Sequence, residues 1–184
     1  LFAADSFARM SQRNAVARLV FVQATKTMET MMSHRINPYA VLGNPVQLLV
    51  DYGNAVASLG LEKSLVYLIE TRASQINGCA GCLVWHTREA RQSGETEARL
   101  YQLDAWRESP LYSPRERAAI AWTEALTRMD RRDIDEAYES VAEQFTPEEQ
   151  VQLNLVIGVI NGFNRLNIGF AVVPPAAAED RRAA

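Results

Sequence analysis

A chain of 184 residues, 48% hydrophobic and 22% charged, has globular composition and enough length to bury one ordinary core. Its formal net charge of -3 excludes a general nucleic-acid-binding surface, which must be basic, and no apolar run approaches a membrane span. Two cysteines are too few for a secreted disulfide scaffold; in a cytoplasmic protein such a pair points to catalysis or metal binding.

Residues 1–31 set Arg9, Arg13, Arg18 and Lys26 against Asp5 and Glu29. This mildly basic amphipathic stretch lacks the continuous apolar segment of a secretory signal. We read it as an extension outside the core, with Met32-Ser33-His34 as the candidate true start and 32–171 as one helical domain. Pro38 and Pro45 break the first stretch, and a helix led by Val46 ends near Ser58-Leu59-Gly60. From Glu62 to about Gln75, Leu65, Leu68, Ile69, Arg72 and Ile76 share one helical face, while Tyr67, Glu70, Thr71 and Ser74 fall on another. A helix over about 78–93 follows, with Asn77 as its N-cap, Gly78 letting the chain bend in and Ser93-Gly94 as the stop. A short helix over 95–103 comes next.

Two later starts are strongly signalled. Ser113-Pro114-Arg115-Glu116 and Thr146-Pro147-Glu148-Glu149 each combine an N-cap hydroxyl, proline at the first helical position and glutamate at the capping-box position. Between them Asp133 reads as the cap of a helix reaching about Phe145. The last helix, to about Phe170, is apolar nearly all round from Leu153 to Phe163, so it is either the core centre or shared between subunits. Gly158 and Gly162 on it would admit a close neighbour. Pro174-Pro175 and the charged residues beyond mark 172–184 as a loose tail. No segment alternates like a strand, so the expected fold is all-α.

The chemistry concentrates in Asn77-Gly78-Cys79-Ala80-Gly81-Cys82-Leu83-Val84-Trp85-His86. On a helix Cys79, Cys82 and His86 lie at i, i+3 and i+7, along one stripe. Sulfurs one turn apart close a disulfide without large backbone movement, and an imidazole one turn further accepts or returns a proton. This outlines a dithiol redox centre. Cys79 is expected in the first turn, where the helix dipole favours a thiolate, with Cys82 deeper and more dependent on His86. Zinc is a second reading, with Cys79, Cys82 and His86 as ligands and Glu70, water or another chain completing the set. Trp85, Trp106 and Trp122 read as core or interface aromatics, and Asn161, Asn164 and Arg165 as groups that satisfy buried backbone or subunit contacts. His34 carries no motif and reads as a surface residue.

The run from Thr71 through Arg72-Ala73-Ser74-Gln75-Ile76-Asn77-Gly78-Cys79 to Cys82, continuing to His86-Thr87-Arg88-Glu89-Ala90-Arg91, resembles the core of the alkylhydroperoxidase D (AhpD-like) family of the carboxymuconolactone decarboxylase superfamily. The resemblance extends through Gly94-Glu95-Thr96-Glu97, Trp106-Arg107-Glu108-Ser109-Pro110, Trp122-Thr123-Glu124-Ala125-Leu126 and Ile160-Asn161-Gly162-Phe163-Asn164-Arg165-Leu166, so it spans roughly Arg35 to Phe170. It implies an all-helical subunit, a homo-oligomer (trimer or hexamer) and thiol-dependent reduction of hydroperoxides. It also implies roles: Cys82 peroxidatic, Cys79 resolving, and His86 in a proton relay with a glutamate of the preceding helix. That glutamate's usual position is occupied here by Tyr67. Glu70, one turn along the same side of the helix, is the expected substitute. Gly81 stands where the best-studied type of member has a histidine.

No flavin, nicotinamide or haem motif is visible, so no cofactor is expected. Reducing power must come from an external thiol or dithiol, since no third cysteine exists to relay it. The expected partners are a hydroperoxide, that reductant and further copies of the chain, with no nucleic acid or membrane, in the cytoplasm. The alternatives are a redox-sensing or disulfide-exchange oligomer without peroxidase turnover, and a lactone decarboxylase, whose chemistry needs no cysteine pair.

Overall fold

The computed structural model describes residues 35–172; the expectations for 1–31, the Met32-Ser33-His34 start and the tail past Val172 lie outside them. The described residues form eight α-helices and no strand. In order these are α1 (Pro38–Val41), α2 (Gly43–Ala57), α3 (Lys63–Asn77), α4 (Ala80–Gln92), α5 (Glu97–Gln102), a 3-10 turn (Leu103–Ala105), α6 (Pro114–Arg128), α7 (Arg131–Gln144) and α8 (Pro147–Gly169). The all-α expectation holds.

Local signals set most of the helix starts. Both capping boxes are formed: Ser113 and Thr146 accept from the backbone of Glu116 and Glu149, whose carboxylates accept in return from the cap N–H groups. Four boundaries differ from expectation. Pro45 does not break α2 but sits in its first turn, where a missing N–H costs nothing. The short helix is capped by Thr96 and starts at Glu97. Met129 takes a left-handed conformation (φ 59°) that ends α6, so Asp130 rather than Asp133 caps α7. Gly78, also left-handed (φ 70°, ψ 33°), closes α3 instead of opening α4, which puts Asn77 at the end of α3.

Helix α3 is the structural centre, packed by α4, α6 and α8, while α2 lies along α8 and α7 along α6. Leu68, Ile69, Thr71, Ala73 and Ser74 are essentially inaccessible, so α3 is buried well beyond the one predicted face. One apolar cluster joins Leu65, Val66 and Ile69 of α3 to Trp122 of α6, Val141 of α7 and Leu153, Val156 and Ile157 of α8. The close helix approach falls at Gly53 of α2, not at Gly158 or Gly162. A Cβ on Gly53 would meet Val159 Cγ1 at 3.1 Å, whereas one on either α8 glycine meets nothing within 4 Å among the described residues.

A buried charge cluster locks α3 in place. Arg72 Nε donates to Glu124 Oε1 at 2.8 Å, Trp106 Nε1 to the same oxygen at 3.0 Å, and Arg107 Nη1 to Glu124 Oε2 at 2.7 Å. Arg72 also bonds Asp104 and Gln75. Burial raises the Glu124 carboxyl and the bonds from Arg107, Trp106 and Arg72 outweigh it, bringing it to about 2. Because this folded-state value is depressed, its stabilisation is present above the unfolded carboxyl range and fades as pH falls towards 2. Glu124→Gln leaves the buried Arg72 guanidinium with only the largely exposed Asp104 carboxylate as counter-charge. The expected cost is about 3–5 kcal/mol at neutral pH, with a flatter stability profile below pH 4.5, the ordinary value; denaturant titrations across pH check both.

Candidate active site

The turn after α3 presents the cysteines. Cys79 is itself the N-cap of α4, its sulfur accepting from Cys82 N at 3.4 Å. Because α4 begins at Ala80, Cys82 is its third residue. It lies in the first turn, not deeper as expected, where the free N–H groups and the helix dipole favour negative charge. The Cα atoms are 5.4 Å apart and the two sulfurs are joined in a disulfide. Both side chains are buried with Ala73 and Ile160.

Asn77, expected as a cap, does different work. Its Nδ2 donates to Asn161 Oδ1 at 2.9 Å and Asn164 Oδ1 at 2.8 Å, and Asn164 Nδ2 donates to Ser74 Oγ at 3.1 Å. These bonds lash the end of α3 to α8 immediately before the first cysteine. Asn161 and Asn164 thus mainly satisfy buried side chains of the same chain, not the backbone or subunit contacts expected, although Asn161 Nδ2 also donates to Ile157 O at 2.9 Å.

A cleft of about 810 Å³ opens beside the disulfide, walled by α2, α3, α4 and α8. Cys82 lines it and Cys79 does not. Val50, Val66, Val159 and Phe163 supply apolar wall, while Tyr67, Glu70, His86 and Glu89 bring the polar groups. Trp85, expected in the core or at an interface, is 57% exposed on the cleft; Trp106 and Trp122 are buried.

The structure brings Glu70 and His86 together: His86 Nδ1 lies 3.0 Å from Glu70 Oε2. Glu89, which sequence reasoning missed, adds a second carboxylate at 3.3 Å from one turn along α4. Neither carboxylate lies in line with the ring N–H, so these are ion-pair contacts more than aligned hydrogen bonds. Burial disfavours the imidazolium, but the carboxylates outweigh it, Glu70 ahead of Glu89, and hold His86 above the usual histidine range. One nitrogen or oxygen atom from each of Glu70, His86 and Glu89 lies within 4.8 Å of the others, while the sulfurs of Cys79 and Cys82 are paired with each other. The Tyr67 hydroxyl has no hydrogen-bond partner among the described residues.

Two further residues were not anticipated. Asn167 Nδ2 donates to Cys82 Sγ at 3.5 Å, and Tyr39 Oη donates to Asn167 Oδ1 at 2.8 Å. Asn167 continues the polar end of α8 that begins at Asn161 and Asn164, which was a usable signal; Tyr39 offered none.

An all-helical subunit with a Cys-x-x-Cys pair, a histidine and two carboxylates at one cleft defines a class of small thiol-bearing helical proteins. The model of the carboxymuconolactone decarboxylase family matches residues 46–125. The uncharacterized protein YdfG of Bacillus subtilis (strain 168) is 38% identical over 138 residues, covering 74% of this chain and 94% of its own. The crystal structure of an Agrobacterium tumefaciens protein of unknown function, described as a candidate antioxidant-defence protein AhpD, is 37% identical. Its TM-score is 0.74, with 77% of this chain and 97% of that chain covered. The debrominase Bmp8 in complex with 2,3,4-tribromopyrrole shares the fold alone, at 19% identity and a TM-score of 0.65 over 83% of this chain and 84% of its own. This chain belongs to the carboxymuconolactone decarboxylase family, in its AhpD-like group. No helix among the described residues is long and apolar enough to cross a membrane.

Proposed function

We propose that this protein reduces organic hydroperoxides with Cys82 as the attacking thiolate and Cys79 as the resolving thiol. The observation that carries this reading is a disulfide of which only Cys82 faces an apolar cleft, beside a Glu70–His86 pair. The Cys82 thiolate attacks the O–O bond of ROOH, forming the S–O bond of a sulfenic acid as the O–O bond breaks. The proton removed from the thiol returns through His86 to the departing alkoxide, giving ROH. Cys79 then displaces hydroxide from the Cys82 sulfenic acid, closing the disulfide and releasing water. Two thiols of an external reductant restore the dithiol and are themselves oxidised to a disulfide. Glu70 takes the relay position that Tyr67 does not fill, holding the imidazolium while the proton is stored, and Tyr67 contacts the substrate.

The resemblance to the AhpD candidate supports this assignment. Apolar residues left on the surface, among them Leu48 and Val151, support a homo-oligomer, and thiol recycling fits the reducing cytoplasm. The test is consumption of cumene hydroperoxide with excess dithiol. Many turnovers per subunit support a peroxidase; a disulfide that forms and reduces reversibly without turnover moves the protein to redox sensing or disulfide exchange.

A further inference from the structure

We infer that Asn167 is a catalytic residue that stabilises the Cys82 thiolate, held in place by Tyr39. Among the described residues, Asn167 is the side chain hydrogen-bonded to Cys82 Sγ, at 3.5 Å. His86 sits one turn along α4 with its Nδ1 turned to Glu70 and Glu89. Proton storage and sulfur stabilisation therefore fall to different residues, on α4 and α8.

The orientation of the amide follows from its partners. A sulfur in a disulfide has no hydrogen and only accepts, and the same is true of a thiolate, so the NH2 end must face Cys82. The carbonyl end then faces Tyr39, whose hydroxyl donates to it at 2.8 Å. Burial raises the Tyr39 phenol above its ordinary value and the Asn167 bond opposes this only in part, so the phenol keeps the proton that the contact uses. A neutral thiol would be served equally by either end of the amide. With the carbonyl engaged by Tyr39, only the donor end remains, and the deprotonated sulfur is the form it selects.

The backbone shows why such a donor is useful here. Asn167 stands in the last turn of α8, whose terminal carbonyls carry partial negative charge towards their surroundings. The side-chain N–H offsets that field at the sulfur and adds to the donors at the start of α4. Tyr39 is placed for this by Asn37, which caps α1 by accepting from Tyr39 N at 3.0 Å. The bond spans 128 residues of sequence and ties the first described helix to the end of the last.

The inference rests on Cys82 being the attacking thiol, and its test does not use peroxide. In a Cys79→Ser background the serine keeps the N-cap and Cys82 is the one remaining thiol of the full chain. Its thiolate fraction is followed against pH by ultraviolet absorbance and by the rate of iodoacetamide alkylation. Asn167→Ala is expected to raise the Cys82 titration by about one pH unit, the scale of one hydrogen bond to a charged group. Tyr39→Phe should raise it by less in the same direction, since the amide stays but loses its anchor. Asn167→Asp, which keeps the volume and so guards against misfolding, should raise it most. A Cys82 titration unchanged in Asn167→Ala, or in Asn167→Asp, overturns the inference. A null result in the hydroperoxide assay with these shifts intact would instead count against the peroxidase reading alone.

Discussion

Cys82→Ser is expected to lower hydroperoxide consumption by at least about three orders of magnitude, because an alcohol at this position supplies no nucleophile for the O–O bond. Cys79→Ser should behave differently. Without added dithiol the sulfenic acid still forms on Cys82, so peroxide falls in one stoichiometric burst and then stops, leaving a sulfenic acid that dimedone traps. This asymmetry follows from the cleft, which Cys82 lines and Cys79 does not. A first burst that needs Cys79 and tolerates Cys82→Ser would reverse the assignment. Loss of either sulfur should leave the fold intact, since the buried cluster around them also contains Ala73 and Ile160.

The second large effect concerns the relay. Glu70→Gln keeps the shape of the side chain but removes the nearer carboxylate, 3.0 Å from His86 Nδ1. Turnover should fall by about 10²-fold, the lower end of general acid–base contributions, because Glu89 at 3.3 Å still faces the same nitrogen. Glu89→Gln should cost less, since that side chain is 32% exposed against 16% for Glu70. His86 is held above the usual range when both are present, so each substitution should move its titration to lower pH, Glu70→Gln further. The sign also gives a stability effect. A raised folded-state value contributes stability that is complete below the unfolded histidine range and disappears as pH rises through the folded value. NMR titration of His86 checks the shift, with His34→Gln removing the other histidine of the chain. Unchanged turnover and an unchanged His86 titration in Glu70→Gln would remove the relay.

Much of this was legible in the sequence, and the reason is physical. The capping boxes at Ser113 and Thr146 are interactions among residues three apart, so a short window contains both partners. Cys82 and His86, four apart on α4, face one cleft for the same reason, with Cys79 as the cap residue just before the helix. Glu70 required one more step, because its partner His86 lies on the next helix; the departure at Tyr67 from the AhpD-like pattern pointed to it. Where a local signal had two meanings, the sequence was misleading. Asn77-Gly78 can open a helix or close one, and the left-handed backbone at Gly78 together with the Asn161 and Asn164 bonds to Asn77 decided for closure. That shift of register moved Cys82 into the first turn of α4 and changed the account of its activation.

By itself, then, the chain determined the helical class, the two capping-box helix starts and the Cys-x-x-Cys spacing, all of which rest on residues within about one turn. Only the tertiary structure decided what surrounds the sulfur. The Asn167 bond to Cys82 joins residues 85 apart and the Tyr39 bond to Asn167 residues 128 apart. The packing of α1, α4 and α8 brings those groups together, and no spacing in the sequence encodes it.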